Sequence, residues 1–235
     1  MDDFLKSASY AEVVRSYGQY CAMAKALDVI GDRWSLLIVR ELMLREACRY
    51  TDLRQGLPGV ASNLLVDRLR ELEAAGIVYR GLAPPPIAAM VFRLTPRGQE
   101  LRTVVHALGR WGGELMGPRS DGESFRSHWL ALPFELYLTD RTPERPPVVL
   151  QVLSGDEPLV LDTVDGEVRT RSGAVEDPDA MVSGPPDLVL GLLAGRITLA
   201  DARRRGLHYS GDPKVLSRLR PDHPKSEVGR RSTGS

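Results

Sequence analysis

Lysine is scarce in this 235-residue chain, supplying four of the 31 cationic side chains, and asparagine occurs once, at Asn63. The cationic side chains are therefore mostly arginine, which lowers the weight of any single arginine as a functional signal. There are only two cysteines, Cys21 and Cys48. Two thiols build neither a disulfide framework nor a four-ligand zinc site. The four histidines lack metal-ligand spacing, and no phosphate loop, dinucleotide glycine fingerprint, nucleophile elbow or metalloprotease motif occurs, so no catalytic residue, cofactor or metal is expected. No apolar run approaches the ~18–20 residues of a membrane span, and Met1-Asp2-Asp3-Phe4 lacks the basic start of a signal peptide. A cytoplasmic protein without membrane contact is the expectation.

What is present is the composition of a folded chain, 43% apolar and 26% charged. The net charge of zero hides a pattern. Residues 1–117 carry 15 Lys and Arg against 13 Asp and Glu, residues 118–195 carry 6 against 14, and residues 196–235 carry 10 against 4. The acidic middle makes a poor nucleic-acid surface.

Apolar residues recur at helical spacing in Ala24-Leu27-Val29-Ile30 and in Trp34-Leu37-Ile38-Leu42, separated by Gly31-Asp32. A third helix is expected from an N-cap at Thr51 to the turn Gly56-Leu57-Pro58-Gly59. From Ala61 a fourth places Leu65, Leu69 and Leu72 on one face, with Ser62 or Asn63 able to cap it and Gly76 to stop it. Ile77–Arg80 and Val91–Thr95 read as a hairpin around Ala83-Pro84-Pro85-Pro86. A helix over 97–116 then carries Leu101, Val104, Val105, Leu108, Trp111 and Leu115 on a broad face. Helix, helix, tight turn, helix and hairpin is the layout of a winged helix-turn-helix, whose second turn helix enters the major groove of DNA.

Small polar residues at 117–123 and the change of charge sign place a domain boundary there. The expected division is a DNA-binding and dimerisation domain over 1–117, a second domain over 118–222 and a flexible tail over 223–235. In the second domain Phe125–Leu138 reads as helical. Val148–Leu153, Leu159–Leu161 and Val168–Thr170 read as a strand meander, and a proline-led helix follows Gly184-Pro185-Pro186 and ends at Gly195. The fold class is α+β in two domains.

Several spaced motifs over about residues 20–115 resemble the HxlR-type bacterial transcription regulators. They are Cys21-x-x-x-Lys25 through Gly31-Asp32-Arg33-Trp34 to Arg40-Glu41-Leu42, then Arg49-Tyr50-Thr51-Asp52-Leu53, Leu57-Pro58-Gly59-Val60, Leu69-Arg70-Glu71-Leu72-Glu73-x-x-Gly76-Ile77-Val78, and Leu94-Thr95-Pro96-Arg97-Gly98. The resemblance implies a homodimer paired through its terminal helices, with two recognition helices reading the half-sites of a palindromic double-stranded operator.

Candidate DNA-contacting residues follow from chemistry. Ser62 and Asn63 reach base edges or cap their helix, and the two roles are compatible. Arg49 and Thr51 are placed for phosphate, while Arg80 and Arg93 flank the wing. Arg68 lies on the polar side of its helix, where pairing with Asp67, Glu71 or Glu73 is the alternative. Trp34 and Trp111 read as core or dimer packing, and Tyr50 as packing. The wing tip, Ala83 to Met90, departs from the charged tips of the family and offers no ion pair to phosphate. Cys21 lies where some relatives have a redox-sensing cysteine, with buried packing the favoured alternative, and Cys48 has less support for such a role.

The second half is similar to the sterol carrier protein type two-like fold. The likeness lies in Asp187-Leu188-x-x-Gly191-Leu192-Leu193-Ala194-Gly195-Arg196, in Gly206-Leu207-His208-Tyr209-Ser210-Gly211-Asp212-Pro213, and in the preceding strands. It implies a sheet with helices enclosing an apolar cavity for a hydrophobic small-molecule effector. Trp129, Leu132, Phe134, Tyr137, Leu150, Leu188 and Leu192 are candidate lining residues, each with ordinary core as the alternative. His128 and His208 form no ligand pair on spacing. The competing reading is a lipid carrier or an enzyme whose winged-helix domain mediates protein interaction. The Ser62–Gly76 helix with its hairpin speaks against a carrier, which needs neither.

Overall fold

The computed structural model describes residues 16–85, 88–117, 119–120 and 122–221. The chain start, part of the proline-rich wing tip and the expected 223–235 tail lie outside the described residues.

The N-terminal half runs α1 (Ala22–Ile30), α2 (Ser35–Arg45), α3 (Tyr50–Gly56), α4 (Ser62–Ala74), β1 (Val78–Leu82), β2 (Met90–Leu94) and α5 (Pro96–Gly113). On α4 the expected stripe of Leu65, Leu69 and Leu72 is buried against Ile38, Val39 and Leu42 of α2 and Leu53 of α3. Burial of each such leucine contributes about 1.5–3 kcal/mol. Gly76, at φ +68, ends the helix: its own N–H donates to the Glu73 carbonyl and the Ile77 N–H reaches back to that of Leu72. The hairpin pairs Val78 with Leu94 through to Leu82 with Met90. Thr95 then caps α5 by accepting the Gly98 N–H, with Pro96 in the first turn.

Two expected helix starts shift. The N-cap of α3 is Arg49 rather than Thr51, because the Asp52 carboxylate accepts the Arg49 N–H at 2.8 Å and stabilises the turn one residue pair earlier. The N-cap of α4 is Ala61, so Ser62 and Asn63 are the first helical residues and neither side chain caps.

The second half begins with a 3-10 turn (Ser127–Leu130) and α6 (Ala131–Tyr137). It continues as β3 (Leu138–Asp140), β4 (Val149–Leu153), β5 (Pro158–Val164), β6 (Glu167–Ser172), β7 (Ala180–Ser183), α7 (Pro186–Leu193), α8 (Leu199–Arg204), β8 (His208–Gly211), α9 (Lys214–Arg218) and β9 (Leu219–Pro221). The strands form one curled mixed sheet in the order β8-β7-β4-β5-β6-β3-β9. The expected meander is its β4-β5-β6 centre. It is extended by β7, which lies parallel to β4, and by β3 and β9, which sit beyond β6. These flanking strands are three or four residues long, too short for period-two alternation to mark them in the sequence. One sheet face carries the core, with Val182, Val152 and Leu159 in one cross-strand row and Ala180, Leu150 and Leu161 in the next. Phe134 of α6 and Leu188 and Leu192 of α7 share this core.

The halves are packed together. On α5, a Cβ at Gly109 would lie 3.1 Å from Leu136 and 3.3 Å from Leu132, so the missing side chain lets α6 approach closely. Leu44 of α2 touches both cores.

Glycine identity divides sharply along α5. A Cβ at Gly98 would fall 2.1 Å from the Ile77 carbonyl oxygen, whereas one at Gly112 would meet open space. Chemical denaturation should show Gly98→Ala destabilised by about 2 kcal/mol or more from overpacking, and Gly112→Ala stabilised by about 0.5–1 kcal/mol through helix propensity.

Candidate nucleic-acid interface

The turn between α3 and α4 spans Leu57–Ala61 and is anchored by Leu57, which is buried. Across it the Tyr50 hydroxyl donates to the Ser62 carbonyl at 3.0 Å. This bond joins the N-terminal ends of both helices and brings Arg49 and Thr51 beside Ser62 and Asn63 on one exposed surface. The Asn63 side chain makes no hydrogen bond among the described residues, leaving its amide with two donors and an acceptor to offer.

Arg68 departs from expectation. Its guanidinium pairs with Asp32 and Glu71, and the side chain is only 14% exposed. Its charge is committed to tying α4 to the α1–α2 turn, so it does not join the exposed group. Glu71 was an expected partner at helical spacing; Asp32, 36 residues away in sequence, was not. Arg80 on the wing pairs with Glu73 at 3.2 Å and stays largely exposed, and Arg93 sits opposite Tyr79 in the hairpin. Tyr50 packs on the core, as its sequence context suggests, and also provides the bridge described above. Arg54, exposed on α3, is a further cation on this side that sequence reasoning did not single out.

Cys21 is exposed, which corrects the expectation of buried packing. It precedes the first turn of α1, whose buried residues are Ala24 and Ile30. Cys48 is buried, and burial pushes its thiol up to about 12, far from a reactive thiolate. Trp34 packs on the N-terminal core, while Trp111 is 70% exposed.

The seven candidate lining residues do not converge. Phe134, Leu150, Leu188 and Leu192 are packed in the second core, but Leu132 packs on the first and Tyr137 is exposed at the end of α6. Trp129 faces the N-terminal half instead. A surface depression formed by Met181, Ser183, Arg203, Leu207, His208, Tyr209 and Ser210 includes none of the seven. The expected grouping fails because the α6 side of the domain is spent on docking to α2 and α5.

The docking centres on Glu41 of α2, whose side chain is fully buried. Trp129 Nε1–H donates to Oε1 at 2.8 Å, and Arg40 donates to the same oxygen at 2.6 Å. His128 Nε2 lies 2.7 Å from Oε2, and since an ionised carboxylate only accepts, the imidazole supplies the proton. His128 Nδ1 is 3.4 Å from Glu157, and the Arg40 guanidinium stacks 4.6 Å from the Trp129 ring centroid. Beside this group a polar crevice is lined by Arg45, Gln55, Gly56, Arg126, Asp156 and Glu157. The signal that could have exposed Glu41 is its place on α2 within the buried stripe of Ile38, Val39 and Leu42, where a carboxylate needs partners.

Burial by itself would raise the Glu41 carboxyl, but the His128 hydrogen bond and the Arg40 charge outweigh it and hold the group below the ordinary glutamate value. A lowered folded value contributes stability above the unfolded pKa, and that contribution is lost as pH falls through the folded one. Denaturation midpoints should therefore drop as pH is lowered from neutrality through the glutamate range. His128→Ala should be less stable at neutral pH by about 3 kcal/mol, as for a broken buried pair, and should lose less on acidification than the unmodified chain.

Comparison with known proteins agrees with the N-terminal architecture. The HxlR-like helix-turn-helix family model matches residues 29–120. The HTH-type transcriptional regulator YvaP of Bacillus subtilis, itself uncharacterized, is 32% identical over 94 residues, covering 40% of this chain and 86% of the relative. YybR of the same organism is 33% identical over 113 residues, covering 47% and 85%. In Escherichia coli, YtfH is 31% identical over 96 residues, covering 40% and 75%. Among solved structures, the reduced transcriptional regulator YodB from B. subtilis aligns at 27% identity and a TM-score of 0.36, covering 43% of this chain and all of that one. The family model stops at residue 120, before the curled sheet begins. With five helices and a hairpin described in the N-terminal half and relatives above 30% identity matched over most of their length, the chain belongs to the HxlR-like helix-turn-helix family.

Proposed function

We propose that this protein is a transcription regulator that binds double-stranded DNA as a homodimer and reads a palindromic operator. The observation that carries this reading is the shared exposed surface of Arg49, Thr51, Ser62 and Asn63, held together by the Tyr50–Ser62 bond. In the turn-helix geometry the N-terminal end of α4 enters the major groove. There Asn63 is suited to adenine and Ser62 to several bases, while the Arg49 guanidinium and the Thr51 hydroxyl take phosphate. Arg80 and Arg93 on the wing add cationic charge near the duplex. The exposed, uncharged Leu82 and Met90 give the wing base no ion pair to phosphate.

The dimer reading rests on the apolar stripe Val104, Leu108 and Trp111 of α5 and on Leu115 just past its end, each of which is exposed in the single chain. Tyr17, Tyr20 and Met23, exposed at the start of the chain's described part, add apolar area of the same kind. Two such stripes meeting around a two-fold axis would set the spacing of the two α4 helices.

The second half is the regulatory part in this reading. A sterol-carrier-like module taking an apolar effector is supported by the mixed sheet with α6 and α7 across its apolar face. Entry would require parting Leu150 from Leu188 and Leu192, and an altered α6 would act on α5 across Gly109. Such an effector controls DNA binding only if it binds the competent and incompetent shapes differently.

Duplexes selected from a random library by the purified chain provide the test, titrated at two salt concentrations with excess non-specific competitor. Asn63→Ala should lower discrimination between selected and random duplexes by about 1–3 kcal/mol. Arg49→Ala should weaken binding to all sequences and reduce the salt slope by about one. Replacing Trp111 and Leu115 together by Asp should give a monomer by analytical ultracentrifugation. Competitor-sensitive binding of the unmodified chain to every duplex, or retention of the dimer in that double variant, would remove the corresponding part of the reading.

A further inference from the structure

We infer that His128, Trp129 and Arg126 of the second half are positioning residues for the helix-turn-helix, holding the C-terminal end of α3 and so the turn that aims α4. The inference builds on the DNA-binding reading above, although the grip itself is a property of the fold. Arg126 Nε–H donates to the Gln55 carbonyl at 3.1 Å. That carbonyl belongs to the last turn of α3, where helical partners run out and a cation is electrostatically favoured. One residue on, Gly56 lies directly against Glu41: a Cβ there would be 2.0 Å from Oε2, the oxygen bonded to His128. Trp129 fixes the other oxygen.

Two contacts separated by more than seventy residues from their targets therefore converge on Gln55 and Gly56, immediately before the turn. Within the N-terminal half Arg40 is the cation on Glu41, and its reach to the Gly56 carbonyl is long, at 3.5 Å. Without the second half the buried carboxylate would keep only Arg40, and it could relax only by pushing against α3 or drawing in water. The turn and the start of α4 would move with it. The same grip gives any change in the second domain a short path to the recognition helix, through contacts that never touch DNA.

The test uses the full chain with Trp129→Phe, which removes one donor and keeps the ring, and with His128→Ala, His128→Gln and Arg126→Ala. Affinity for the library-selected duplex should fall about tenfold in the Trp129, His128→Ala and Arg126 variants at a temperature where all are folded. The salt slope should stay unchanged, because no phosphate contact is lost. Hydrogen exchange of amides 53–57 should quicken in the same three. His128→Gln, which keeps an N–H for Glu41, should restore both. Arg126 is partly exposed, so its variant decides the matter if the His128 variants fail to fold. Lower thermal stability with unchanged exchange at 53–57 and unchanged affinity would overturn the inference. If the unmodified chain binds no DNA, the DNA-binding reading fails and the exchange measurement alone decides whether the grip exists.

Discussion

One buried carboxylate organises the contact between the two halves. Glu41 has no access to water, and an ionised carboxylate in that position is tolerable only with its lone pairs filled. The N-terminal half supplies one cation for it, Arg40, and the rest comes from His128 and Trp129, far along the chain. That requirement fixes several other features. Residue 56 must be glycine because the carboxylate occupies the space a Cβ would take. The segment Ser127–Leu130 is held as a tight 3-10 turn, with Asp156 accepting both the N–H and the hydroxyl of Ser127, so that two neighbouring side chains reach α2 together. The β4–β5 connection is drawn to the same place, where Glu157 faces both His128 and Arg45.

A buried ionic group is weak evidence for net stability, since an apolar replacement of similar shape can do as well. Its directional hydrogen bonds contribute geometry that an apolar patch does not. Apolar contacts also cross the boundary at Leu44, Leu132 and Gly109, and these would tolerate sliding more readily than three donors converging on two oxygens. On this argument the halves adhere through α5 and α6 and are registered through Glu41.

Much of the N-terminal architecture was legible because its signals are local. The α4 leucine stripe, Gly76 as its stop and Thr95-Pro96 opening α5 are read within a few residues of one another. Where the structure departs from the local signals, the deciding interaction is either a competing cap, as with Asp52 starting α3 at Tyr50, or a distant partner, as with Asp32 taking Arg68. The exposed surface of Arg49, Thr51, Ser62 and Asn63 was approached through residue chemistry, but the Tyr50 bridge that assembles it depends on a hydroxyl meeting a carbonyl across a turn. In the second half the central meander follows from β-branched and leucine runs between glycine turns. The short outer strands, and the diversion of Trp129 and Leu132 from a common pocket, are tertiary outcomes without a local signature.

The geometry of α5 leaves one helix able to serve both the second domain and the proposed second copy of the chain. Val104 and Arg102 lie two residues apart, about 200° around a helix. The stripe 104, 108 and 111 is therefore opposite the stripe 102, 109 and 113, on which Glu135, Leu132, Leu136 and Tyr137 of α6 rest. Docking of the curled sheet consumes one face and leaves the apolar one exposed. The acidic second domain is thus held on the side of α5 away from the proposed dimer axis, while Gln55 and Gly56 remain in contact with it through the seam. A displacement of α6 would reach the α4 helices by two routes at once, through the spacing set by α5 and through the turn held beside Glu41. Since the 3-10 turn on Glu41 runs directly into α6, which rests on α5, the two routes should respond together rather than independently.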